Sequence, residues 1–183
     1  MKTWALLLCL AVLPLAARAQ TTVATPGPMP MASTCGAIDN RRLPGEFAPL
    51  AGEVPLIVAG RVAAEGAVIN AGEARAVTLL PQSEVRFIVP SASKPLAEPH
   101  AGALRLHVVR AGIYRIALGA SASIDVIGHG SPATAINAVA QAPGPQCSVV
   151  RKIVDVQLEA GDYLVQLSNA SEVRILIMAV IKR

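Results

Sequence analysis

Three histidines, His100, His107 and His129, are the side chains best placed by type to hold a metal or move a proton. His100 and His129 stand in Pro- and Gly-rich stretches, where loops would let both converge on one ion with Asp125 or Glu98 completing the ligand set. No pair has the i, i+2 or i, i+4 spacing of a compact site, so three unrelated surface histidines are the competing reading. His107 falls in an alternating run. Leu104, Leu106 and Val108 share one face and Arg105 and His107 the other, which makes His107 a solvent-side residue. Ser131, His129 and Asp125 include the residue types of a hydrolase triad, but crowding into one turn is not how nucleophile, base and orienter converge. Met29 and Met31 offer soft sulfur suited to Cu(I), without a His or Cys beside them, and also read as ordinary linker residues. No catalytic residue and no cofactor are assigned. A metal at His100 and His129 is the alternative.

Cysteine chemistry depends on compartment, and residues 1–19 bear on that. They carry Lys2, an apolar run from Trp4 to Leu15, and Ala17-Arg18-Ala19 before Gln20, the pattern of an export signal cleaved after Ala19. The run is too short for the ~20 apolar residues that span a bilayer. An uncleaved anchor is the rival. Removal of residues 1–19 also removes Cys9, leaving Cys35 and Cys147 of the three cysteines, and an oxidising compartment would pair them. Two separate buried thiols are the alternative. The expected location is periplasmic or secreted.

Charge and aromatic content exclude function classes. The net charge of +4 rests on 16 basic and 12 acidic residues, and Lys2 and Arg18 leave with the signal, so the remainder is close to +2. No basic run exceeds the pairs Arg41-Arg42 and Arg151-Lys152, so nucleic acid is not an expected partner. No later apolar stretch escapes charge for long enough to make a membrane helix. The one Trp lies in the signal, and Phe47, Phe87, Tyr114 and Tyr163 remain, too few for a stacking platform for sugars or single-stranded nucleic acid.

The elements that must position these residues are organised around a repeat. Ala111-Gly112-Ile113-Tyr114-Arg115-Ile116-Ala117-Leu118 returns as Ala160-Gly161-Asp162-Tyr163-Leu164-Val165-Gln166-Leu167. A Gly that turns the chain, followed by Tyr and alternating aliphatics, predicts two hairpins sharing one core, with both tyrosines in equivalent, largely buried positions. Strands are predicted over 54–59, 67–70, 74–80, 84–89, 104–109, 113–118, 123–127 and 150–158. A further strand over 172–181 is apolar on both parities and therefore central and covered on both faces. Residues 90–102 read as a surface loop containing His100, and 133–146 as irregular. Ala71-Gly72 with residues 83–88 echoes residues 160–161 and 171–176, either a faint third copy or chance. Asn169-Ala170-Ser171 reads as a turn. The expectation is a leader over 20–34 and one all-β domain over 35–183, an antiparallel β-sandwich with one disulfide.

The units AGIYRIALGASASIDVI and LEAGDYLVQLSNASEVRIL resemble the bacterial pre-peptidase C-terminal domain, a jelly-roll, PPC-like sandwich appended to secreted enzymes. The stretch from Pro99-His100-Ala101-Gly102 through Cys147 to Leu167 also resembles a set of small exported Gram-negative proteins of unknown role. Some of that set carry a homogentisate 1,2-dioxygenase label, but a non-haem iron oxygenase needs two His and a carboxylate at one open metal face. Members carry a Gly-His-Gly-Pro stretch before the cysteine, where this chain reads Gln141-Ala142-Pro143-Gly144-Pro145. The resemblance implies an exported, non-enzymatic binding or accessory protein of the cell envelope, its partner another protein or a small-molecule ligand. A metal-binding protein or metal-dependent enzyme is the alternative.

Overall fold

The computed structural model describes residues 35–91, 96–128, 130 and 133–183. The signal and leader expected over 1–34, with Met29 and Met31, lie outside the described residues, as do His129 and Ser131. Among the described residues eleven strands occur: β1 Leu56–Val58, β2 Ala67–Asn70, β3 Ala74–Thr78, β4 Leu80–Pro81, β5 His100–Val108, β6 Gly112–Leu118, β7 Ser123–Ile127, β8 Ala138–Pro143, β9 Lys152–Leu158, β10 Gly161–Ala170 and β11 Arg174–Ile181. The first sheet has the order β1-β3-β11-β6-β9-β8, and the second β2-β5-β10-β7, with β4 paired to the start of β5. The protein is all-β.

The repeat forms these sheets, but not as two hairpins. β5 lies in the second sheet and β6 in the first, while β9 lies in the first and β10 in the second, so each Ala-Gly turn is an arch crossing between sheets. The two arches interlock. β6, the middle strand of one copy, pairs with β9 and β11 of the other, and β10 pairs with β5 and β7 in return. The registers mirror each other, Gly112 standing opposite Leu158 and Gly161 opposite Val108. A hairpin signal reports a turn between alternating strands. It does not report whether the second strand returns to the same sheet or drops to the facing one.

Crossing between sheets also accounts for the departure from a purely antiparallel sandwich. β1 and β3 pair in parallel, as do β2 and β5. Between β1 and β3 the chain visits the opposite sheet as β2, and two reversals bring it back in its original direction. Inward-facing residues of both sheets fill one core: Ile69, Leu104, Leu106, Val165 and Leu167 from the second meet Val77, Ile116, Leu118, Val156, Ile175 and Ile177 from the first. Each such side chain, fully buried, stabilises the fold by about 1.5 to 3 kcal/mol in transfer terms. Close approach explains Gly102 on β5, where an added Cβ would sit 2.3 Å from the Ala59 Cβ.

β11 is covered on both faces, as its double-sided apolar pattern requires. Its outward residues Met178 and Val180 pack with Phe47 and Leu50 from a 3₁₀ segment over Gly45–Ala51. Arg115 ties that segment to the sheet, its guanidinium lying 2.9 Å from Glu46 and 3.1 Å from Asp155, its cross-strand neighbour. The Lys182 ammonium closes on the other Asp155 oxygen at 2.8 Å. The disulfide joins Cys35 to Cys147 with a Cα separation of 5.4 Å. Beside it the Asp39 N–H donates to the Cys147 carbonyl at 2.6 Å and the Val149 N–H to the Asn40 side chain at 3.0 Å.

Two stretches differ from their sequence pattern. Residues 133–146, expected to be irregular, contain β8, because the edge of β9 offers a ladder that small residues can join. Residues 84–89, expected as a strand, end a 3₁₀ turn at Gln82–Glu84 and then lie over the outer face of the second sheet. Gln166 on β10 takes the backbone polar groups at the end of this segment: its Oε1 accepts from Ile88 N–H at 3.0 Å, and its Nε2 donates to the Val89 carbonyl at 2.6 Å. Ser168 adds a hydroxyl bond to Ser91 at 2.9 Å. The echo at 83–88 is therefore not a third strand unit.

Candidate functional site

The long connection between β4 and β5 is pinned at both ends, and its pinning makes a cleft. At its base Pro81 stands opposite His100, and the Gln82 N–H donates to the Pro99 carbonyl at 2.9 Å. The Gln82 side chain accepts from Asn169 N–H at 2.6 Å, and Asn169 accepts from Leu96 N–H at 2.8 Å. Asn169 supports this contact from a left-handed conformation, φ 52°, at the irregular end of β10. A connection this long, where most are a few residues, is a feature that loop-length statistics associate with function.

Pro81, Val85, Phe87, Ala97 and Pro99 give the cleft apolar walls, and Gln82, Ser83, Glu98 and His100 supply its polar groups. Its volume is about 700 Å³, within the range of small-molecule sites. Val85 is buried and Phe87 half-buried. His100 Nδ1 is itself buried and has no hydrogen-bond partner among the described residues. In a neutral imidazole one ring nitrogen donates and the other accepts, so this atom has unused capacity in a residue that lines the cleft.

His100 is the first residue of β5, with Pro81 opposite on one side and Ala170 on the other, rather than a loop residue. Pairing on both flanks fixes its backbone position. Glu98 lines the same cleft, and Asp125 is on β7, opposite Gln166. Burial raises the Asp125 carboxyl above its ordinary range, against a hydrogen bond from Gln166 and the charge of Lys152. His107 is on the solvent side, as its parity indicates, with Nδ1 2.7 Å from the Asp162 carboxylate across the β5–β10 pair. Among the described residues no three His, Cys, Asp or Glu side chains converge as a metal-binding group.

The residue that sequence reasoning missed here is Phe87, because its segment reads as a strand and its ring counts only among aromatics too few for a stacking platform. Pro81, Pro99 and the unusual length between them were the available signal. No family model matches the chain, and no curated protein sequence matches it. No helix among the described residues is long and apolar enough to cross a membrane.

Proposed function

We propose that this chain is an exported, non-enzymatic binding or accessory protein of the cell envelope, taking a small, largely apolar molecule in the cleft beside His100. The observation that carries this reading is an apolar concavity walled by Pro81, Val85, Phe87 and Pro99, with His100, whose buried Nδ1 has no partner among the described residues, in its lining. Leaving a buried acceptor or donor unpaired costs about 1 to 3 kcal/mol, which a bound hydroxyl or amine would recover by drawing the imidazole round so that Nδ1 meets it. Phe87 and the two prolines favour a ring as the apolar part, and Glu98 disfavours an anion. Export is supported by the residue pattern of 1–19 and by the disulfide, which persists in oxidising compartments. The interlocked Ala-Gly-x-Tyr units support kinship with the pre-peptidase C-terminal sandwiches.

Titration of the purified disulfide-bonded chain with phenol, followed by backbone amide NMR, tests the cleft. Shifts should be confined to residues 81–87 and 97–100, and His100→Phe should weaken binding about tenfold, the loss of one hydrogen bond of about 1.4 kcal/mol. Shifts spread elsewhere, or none at about 10 mM phenol, well above a 1 mM dissociation constant, would overturn it. Stoichiometric Fe, Cu or Zn in the purified chain, lost in His100→Ala, would replace this reading with the metal-binding one.

A further inference from the structure

β8 is the outermost strand of the first sheet, paired to β9 on one side, with no strand on the other among the described residues. All six of its residues, Ala138–Pro143, are exposed, including Val139 at 58%. No charged residue occurs anywhere from 133 to 146. Free edges of natural sheets are ordinarily blunted by charge, brevity or a covering segment. The other edges of this molecule follow that rule. β1 has three residues and β2 four, and β7 is flanked by a bridge from Ile127 to Ala135 and by the Ile136 N–H donating to Val126. β8 has only a bulge between Ala138 and Ala140 and a proline at its far end.

The register shows which groups that edge presents. Gly144 N–H donates to the Arg151 carbonyl at 3.0 Å, so Gly144 points its polar backbone at β9. Antiparallel pairing alternates, so Ala142 and Ala140, opposite Ile153 and Asp155, also face β9. Gln141 then directs its N–H and C=O outward, and Pro143 its carbonyl. Two copies related by a two-fold axis at Gln141 would exchange two Gln141 N–H to C=O bonds, the reciprocal pair of an antiparallel ladder. In that register Ala140 meets Ala142 of the second copy and Val139 meets Pro143. A two-fold sets each residue near its own image, so an uncharged, small-residue edge meets neither like charge nor bulk.

We propose that β8 is a self-association edge, through which a second copy of this chain pairs antiparallel about Gln141 and joins the two first sheets into one. The occupant is another copy because the edge is complementary to itself in charge and size. This does not depend on the cleft, which is built from the β4–β5 connection.

Sedimentation equilibrium of the disulfide-bonded chain across a concentration series to about 100 µM reads the association directly. The wild type should pass from monomer to dimer. Gln141→Lys and Gln141→Asp each place like charges on the axis and should weaken the dimer at least tenfold, while circular dichroism shows both variants folded. An equimolar mixture of the two should restore dimer, now as a mixed pair. A wild type that stays monomeric throughout, a dimer indifferent to both substitutions, or a mixture that fails to recover would each overturn the proposal.

Discussion

Tyr114 and Tyr163 do the same local work in different surroundings. Each closes its arch by donating its hydroxyl to the carbonyl four residues earlier, Tyr114 to Arg110 and Tyr163 to Glu159, both at 3.0 Å. Tyr163 also accepts from Glu159 N–H at 2.9 Å. Tyr114 is buried at 1% exposure, whereas Tyr163 is half-buried, so equivalence of position does not bring equal burial. Either Tyr→Phe change should cost about 1 kcal/mol in urea denaturation. Tyr114→Ala should cost about 3 to 5 kcal/mol and Tyr163→Ala clearly less, and equal losses would contradict this arrangement. Two aspartates respond to pH in opposite senses. Burial raises the Asp155 carboxyl, but Arg115 and Lys182 outweigh it and hold the group below its ordinary value. Its contribution is present above the unfolded carboxylate value and drains as pH falls through the lowered one. Asp125, raised by burial, binds its proton more readily folded than unfolded, so stability falls as pH rises from the ordinary value through the raised one. Asp125→Asn should therefore raise the melting temperature at pH 7, and Asp155→Asn lower it. Thermal melts at pH 3 to 8 check both, since each difference should shrink at the acid end.

At the scale of elements, strands were read from alternation with most of their bounds, because burial of one face leaves a period-2 trace in the sequence. Pairing leaves no such trace. Leu104, Leu106 and Val108 announce a strand, but nothing in them says that the next one, Ile113 to Leu118, belongs to the other sheet. The segment at 84–89 shows the converse failure: Val85, Phe87 and Val89 alternate as a strand would, yet the backbone of Ile88 and Val89 is taken by one amide side chain, Gln166, and the Arg86 N–H by the Arg61 carbonyl. A side-chain partner replacing a strand partner is not legible from the segment itself. The candidate cleft was hidden for the same reason, since its walls belong to that segment. Gln166→Ala removes three bonds to this segment, including the longer one from Val89 N–H at 3.4 Å, as well as the bond to Asp125, and should cost about 2 to 3 kcal/mol. Hydrogen exchange at Ile88 and Val89 should accelerate while the β6 and β11 amides keep their protection. Unchanged exchange at both positions would mean that the segment is held instead by packing of Val85 and by the bond from the Arg86 N–H to the Arg61 carbonyl.

For the whole molecule the question is what holds the segment before β1 against two sheets that complete their core without it. The inter-sheet core draws its buried side chains from Ala59 through Ala179, whereas residues 35–43 contribute no buried apolar side chain to it. The bond between Cys35 and Cys147, 112 residues apart, makes them part of the fold. A closure of that length restricts the unfolded chain and stabilises the native state by about 4 to 5 kcal/mol in the loop-entropy account. Compartment and count are grounds for this pairing but say nothing of its setting, where Cys147 at φ 61° ends the connection from β8 and feeds β9. Reduction should lower the melting temperature by about 8 to 20 °C, at roughly 2 to 4 °C per kcal/mol for a domain of this size. The β-sheet signature should survive below the new midpoint, because the core does not pass through the bridge. Differential scanning calorimetry with and without reductant reads the first effect and circular dichroism the second. Reduction that leaves the midpoint unchanged would show that the Asp39 and Asn40 hydrogen bonds already restrain the segment, whereas loss of all sheet signal at 25 °C would make the bridge a condition of folding.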